Sequence, residues 1–207
     1  ITGGDFNPLI NKLPVKMYQP INVKLGDTLK LNNTINGARC YIAVSGGLKV
    51  KSIFGSKAFF SNITDSYFLK KNDEIKVSKK SKNKILKWDR FNFKLNRSIE
   101  VFKGPEFDLL SSNSKNKLFK NEFTISTNNR MAYNLVEKLQ VGTKSIISSP
   151  VLPGSVQLTP SGKMIILHRD CQTTGGYPRI LQLNISSLNY LSQLKSTDKI
   201  KLRLINL

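Results

Sequence analysis

A chain of 207 residues with 33 Lys and Arg against 13 Asp and Glu, and so a net charge of +20, is long enough to bury a full core. Its mean hydropathy of −0.25 and lack of any long apolar run exclude a membrane-spanning helix and give no reason to expect a membrane partner. Its two cysteines, Cys40 and Cys171, exclude a disulfide framework, and with no CxxC or Cys/His cluster they exclude a structural zinc site. No charged and apolar leader opens the chain, so the cytoplasm is the expected compartment. The charge would suit nucleic acid, but it is mostly lysine spread along the chain and densest in "KVSKKSKNK" at 76–84. That stretch lacks interleaved aromatics for stacking and arginines for base readout, so a solvated loop is expected and no nucleic-acid partner.

In chain order, "ITGGDF" reads as the end of a strand and a Gly-Gly turn. "INVKLGDTLKL" alternates Ile21, Val23 and Leu25 and turns at Gly26-Asp27, and "CYIAVSGGLKV" predicts a nearly continuous apolar strand ending at Gly46-Gly47. The Lys-rich, weakly apolar stretch from about 78 to 96 predicts a boundary between two β-rich halves. Gly104-Pro105-Glu106 reads as a turn. "NRMAYNLVEKL" is ambiguous: Met131, Leu135 and Leu139 fit a helical face, while Met131, Tyr133 and Leu135 fit strand alternation. "SVQLTPSGKMIIL" predicts a hairpin about Pro160-Ser161-Gly162. "SSLNYLSQL" predicts a short helix capped by Ser186 or Ser187, and "KIKLRLI" predicts a closing strand with Ile200, Leu202 and Leu204 on one face.

The densest hydrogen-bonding chemistry lies in "HRDCQTTGGYPRI", residues 168–180, a strand running into a bend. Asp170 offers a carboxylate that can bind an amide, orient a nucleophile or act as a base. Gln172, Thr173 and Thr174 supply neutral donors and acceptors, Gly175 and Gly176 allow close backbone approach, and Tyr177 adds an aromatic ring. The same residues would also make a Gly-rich turn whose hydroxyls cap their own backbone. Arg130, between Asn129 and Met131, reads either as a clamp for a carboxylate or phosphate or as half of a surface ion pair. His168, the only histidine, shares a strand face with Asp170, and Cys171 points away with no activating base beside it.

Four ordered blocks resemble one family. They are "NGARCYIAVSGGLKVKSIFGSKA", "VFKGPEFDLL", "NRMAYNL" and "LPGSVQLTPSGKMIILHRDCQTTGGYPRI". The family is that of the biotin-dependent carboxyltransferase-like proteins also called allophanate hydrolase subunit 2, KipA or the C subunit of 5-oxoprolinase. Ala132 stands where the family usually has Gly, Asn134 where it usually has Arg, and Cys171 where Arg or Ala is common. The family's front segment, ahead of "ITGGDF", is not in this chain, and an open sheet edge is therefore expected.

The resemblance implies a mainly β protein with few short helices. Residues 1–90 would form a carboxyltransferase-like subdomain C, N-terminally incomplete, and residues 97–207 a cyclophilin-like β-barrel, subdomain D. It implies a subunit 1 (KipI-like) partner, a LamB/YcsF-type subunit, ATP used at the level of the complex, and ring opening of the lactam 5-oxoproline. Asp170, Gln172 and Thr173 would then be catalytic, with Asp170 accepting from the amide N–H and the other two holding its carbonyl. Arg130, Thr174, Gly175, Gly176 and Tyr177 would bind substrate. The alternatives are a urea or amide carboxyltransferase component, which brings biotin, and a KipA-type binder of a kinase inhibitor.

Overall fold

The computed structural model describes residues 1–60, 62–64, 69–79, 98–140 and 145–206. Beyond residue 79, the Lys-rich segment and the boundary expected at 78–96 lie outside the described residues. The chain divides into two compact units. One comprises Ile1–Thr2, Asn7–Asn32 and Cys40–Arg90, and the other Gly3–Phe6, Asn33–Arg39 and Phe91–Leu207.

The strands in chain order are β1 (Thr2–Asp5), β2 (Leu9–Ile10), β3 (Leu13–Pro14), β4 (Leu29–Lys30), β5 (Asn36–Tyr41), β6 (Ser98–Lys103), β7 (Glu122–Asn128) and β8 (Ala132–Lys138). They continue with β9 (Ser149–Pro150), β10 (Ser155–Leu158), β11 (Lys163–Leu167), β12 (Thr174–Gly175), β13 (Arg179–Leu183) and β14 (Lys199–Leu204). Among the described residues two α-helices, α1 (Ser112–Lys120) and α2 (Ile185–Leu191), complete a mainly β protein.

In the first unit β2 lies between β3 and β4. The Asp27 carboxylate closes the turn before β4, accepting from Lys24 N and Asn11 Nδ2 at 2.7 Å each. The alternation read at Ile21, Val23 and Leu25 makes no strand there, and Leu25 is fully exposed. The apolar strand expected to run to Gly46-Gly47 stops at Tyr41. Beyond it the backbone turns at Gly46-Gly47, and Leu48 bridges to Val77. An apolar run with no partner strand beside it has nowhere to place its N–H and C=O groups in a ladder.

The second unit holds the core. Seven strands close into a barrel in the order β10-β11-β8-β7-β14-β6-β13. Ile99, Val101, Phe123, Ile125, Tyr133, Leu135, Val156, Leu158, Met164, Ile166, Ile180, Ile200 and Leu202 alternate inward. The "SVQLTPSGKMIIL" hairpin forms as read, with Val156 opposite Ile166 and Leu158 opposite Met164. "NRMAYNLVEKL" resolves to strand because Tyr133 and Leu135 fill the barrel while Met131 is half exposed. Helix α2 begins two or three residues earlier than expected. Asn184, rather than Ser186 or Ser187, is its cap, with its side chain accepting from Ser187 N at 2.8 Å. Helix α1 has no counterpart in the sequence reading: "SNSKNKLFK" buries only Ser114 and Leu118, and Ser111 caps it.

Most of β1 and β5 belongs to this unit, where Gly37 approaches Gly4 so closely that a Cβ on Gly37 would sit 2.8 Å from Gly4 Cα. Gln193 Oε1 accepts from Ala38 N at 3.1 Å and Arg39 N at 3.0 Å, tying the strand down. Gln193→Ala leaves both partly buried N–H groups without this acceptor and is expected to cost about 1–3 kcal/mol. A fall in the urea midpoint with an unchanged slope checks it.

Candidate functional site

Strand β11 ends at Leu167, and its partner β8 begins at Ala132. The two segments stay joined past the ladder, His168 N donating to Met131 O at 2.8 Å and Asp170 N to Arg130 O at 2.9 Å. That pairing sets Arg130 beside Asp170 although 40 residues separate them. The fork closes on the carboxylate, Nε to Oδ2 at 2.5 Å and Nη2 to Oδ1 at 3.1 Å. Both side chains remain open to solvent, at 77% and 46% exposure. The guanidinium holds the Asp170 carboxyl below its ordinary range, so it is ionised at neutral pH.

His168 does not share this face. It turns inward against Tyr133, with ring centroids 5.3 Å apart, and is buried. Neither ring nitrogen makes a well-formed hydrogen bond, though the Leu188 carbonyl lies near enough to favour the proton. Burial outweighs that and keeps the imidazole neutral, with the Arg169 and Arg39 charges acting the same way. Arg39 Nη1 donates to Tyr133 Oη at 2.9 Å and to the Ser192 carbonyl. Cys171 is half buried, and burial raises its thiol, so it is no activated nucleophile.

The bend after Asp170 is a braced loop. Thr174 and Gly175 form β12, paired with Pro150 and Ser149 of β9. Val151 N donates to Thr173 O at 3.0 Å, and Ile146 N to Gly176 O at 2.9 Å. Gln172, Thr173, Thr174 and Tyr177 are exposed on it. Gln172 Nε2 reaches Gln157 Oε1 over a long 3.4 Å. Gly175 lies against Gln157: a Cβ there would meet Gln157 Nε2 at 2.4 Å, so a side chain would have to push the Gln157 amide aside.

Sequence reasoning missed Gln157, Glu106, Arg179 and Arg39. Glu106, read only as part of a turn, pairs through both oxygens with Arg179, at 2.9 Å (Nε) and 2.7 Å (Nη2). The glutamine between Val156 and Leu158 and the acid after Gly104-Pro105 were the available signals. The Arg179 side chain lowers Glu106, whose carboxylate therefore adds stability that is full above its ordinary value near 4.5 and is lost as pH falls below it. Acid titration of the urea midpoint should show this loss in the native chain and a shallower one in Glu106→Gln.

The donor set around Asp170 suits a small planar amide and does not suit a triphosphate. It offers neutral amide and hydroxyl groups, a carboxylate, and one guanidinium already on that carboxylate. Biotin, whose ureido ring is also a planar amide, enters only with the carboxyltransferase alternative. Among the described residues no His, Cys, Asp and Glu cluster could hold a metal, and no helix is long and apolar enough to cross a membrane.

A mainly β chain with a closed seven-strand barrel is what the carboxyltransferase domain family would give. The profile of that family, described as subdomain A and B, matches residues 1–204, and the chain belongs to it. The profile letters the subdomains A and B where the sequence resemblance lettered them C and D. The C subunit of 5-oxoprolinase from Escherichia coli is 28% identical over 179 residues, 83% of this chain and 58% of that protein. The same protein of Haemophilus influenzae is 27% identical over 217 residues, 100% of this chain and 69% of that protein. The chain thus spans about three fifths to two thirds of the length of these relatives. The crystal structure of the K. lactis urea amidolyase superposes with a TM-score of 0.82 at 21% identity, over 99% of this chain and 14% of that one, and shares its fold.

Proposed function

We propose that this chain belongs to the C subunit of an ATP-dependent 5-oxoprolinase, a cytoplasmic lactam hydrolase assembled with a subunit 1 (KipI-like) partner and a LamB/YcsF-type subunit. The observation that carries the reading is the adjacency of Asp170 and Arg130 beside a loop of neutral donors. In 5-oxoproline the ring N–H and the carboxylate sit on neighbouring atoms. An acceptor and a cationic fork in mutual contact match that pair. A carboxylate has about four acceptor positions and Arg130 takes two, so Asp170 keeps capacity for the lactam N–H. The exposed guanidinium can shift to bridge Asp170 and the substrate carboxylate.

Gln172, weakly held by Gln157, and the Thr173 hydroxyl donate to the lactam oxygen as negative charge builds there. Thr174, Gly175, Gly176 and Tyr177 wall the substrate. The lowered Asp170 acts as an acceptor and not as an acid, so the proton for the leaving nitrogen comes from a partner subunit, as does the ATP chemistry. On this reading the chain alone is inactive.

The test uses two lactams with the assembled complex. Arg130→Lys should raise KM for 5-oxoproline about tenfold or more, while 2-pyrrolidone, which lacks the carboxylate, should be used equally poorly by both proteins. Equal KM values for 5-oxoproline would remove Arg130 from the site and the reading with it.

A further inference from the structure

The 172–177 loop owes its position to groups that are not in it. Its backbone hangs on the 146–151 segment through β9 and β12 and the Thr173 and Gly176 carbonyls. That segment is gripped in turn by Arg179, whose Nη1 donates to Pro150 O at 2.8 Å. The other edge of the guanidinium is locked by both Glu106 oxygens, and Arg179 N donates to Glu106 Oε2 at 2.8 Å. The two side chains are only 20% and 17% exposed, which separates this pair from the open Arg130–Asp170 pair.

Register adds the floor. Gln157 lies opposite Arg179 across β10 and β13, and its neighbours Val156, Leu158 and Ile180 fill the core, so both polar side chains emerge on the barrel's outer surface. Gln157 is 1% exposed, its Nε2 is buried without a partner, and Gly175 rests on it.

We propose that Glu106 and Arg179 are positioning residues that set the 172–177 loop for amide recognition, acting through Pro150 and the β9–β12 pair, with Gln157 as the surface the loop rests on. The assignment depends on reading that loop as the lactam site. Neither residue touches the substrate. An Arg can hold a carboxylate with two prongs and a carbonyl with a third, and a Lys cannot. Loss of the third contact frees the segment without opening the barrel.

Amide hydrogen exchange on the 207-residue chain tests this, with Ile146 and Val151 reporting the brace and Ile166 and Leu202 the barrel. In Arg179→Lys, exchange at Ile146 and Val151 should rise about tenfold or more, with the barrel amides within about twofold. In the assembled complex KM for 5-oxoproline should rise by a similar factor, with kcat changed less. Glu106→Gln, which keeps one acceptor oxygen for Arg179 and loses the other, should fall between native and Arg179→Lys, and it serves alone if the lysine variant does not fold. Unchanged exchange at Ile146 and Val151, equal acceleration at all four amides, or faster local exchange with an unchanged KM would each overturn the proposal. Failure of the native complex to open 5-oxoproline would instead defeat the functional reading, and the exchange ratio would then decide the positioning role by itself.

Discussion

Asp170→Asn in the assembled complex is expected to cut 5-oxoproline turnover about 100-fold or more while stability stays within about 1 kcal/mol. The two halves have separate causes. Asp170 and Arg130 are 46% and 77% exposed, and solvent screens a pair so open that its loss costs the fold little. The site loses much more. The asparagine NH2 presents donors where the carboxylate accepted, so it opposes both the Arg130 fork and the lactam N–H. Substrate-dependent turnover and a urea melt of the same preparation check the two halves together. Native-like turnover would remove Asp170 from the chemistry.

Gly104→Ala is expected to destabilise the barrel by about 3 kcal/mol or more. A Cβ on Gly104 would lie 2.1 Å from Arg179 O and 2.8 Å from the carbonyl carbons of Arg179 and Ile180. All three are backbone atoms of a central barrel strand, so no side chain can swing aside to make room. The turn is held by Gly104 N to Ile180 O at 3.0 Å and Glu106 N to Arg179 O at 3.2 Å. Pushing it off the strand also pulls Glu106 from Arg179. The urea midpoint measures the cost, and a change within about 0.5 kcal/mol would show that the turn yields freely.

Local pattern carried some of this fold and not the rest. The β10–β11 hairpin and β14 were legible because apolar alternation, a Pro-Ser-Gly turn and close strand pairing all lie within a few residues of one another. The Met131–Leu139 segment was not, since both periods fit until β7 and β11 fix which side chains enter the barrel. Helix α1 escaped because one buried leucine in nine residues leaves no apolar stripe to read. In the first unit, alternating and continuous apolar stretches were read as strands, yet Val23, Leu25 and Val44 stand exposed. Alternation gives a strand only where a neighbour accepts its hydrogen bonds.

The candidate site divides the same way. Asp170 and its polar loop stood out by composition, whereas the partners that hold them lie 40 residues away at Arg130 and 73 residues apart at Glu106 and Arg179. Such pairings are set by barrel closure. His168 shows the cost of extending alternation past a strand end: β11 stops at Leu167, the chain turns, and the histidine faces the core while Asp170 faces solvent.

On the proposed reading, Asp170, Arg130 and the braced loop recognise a lactam that carries its own carboxylate. The most direct measurement is ATP hydrolysis by the complex proposed for this protein, with subunit 1-like and LamB/YcsF-type proteins, driven in turn by 5-oxoproline and by urea. Stimulation by 5-oxoproline with release of glutamate, and none by urea, is the expected result. Stimulation by urea with none by 5-oxoproline would contradict it.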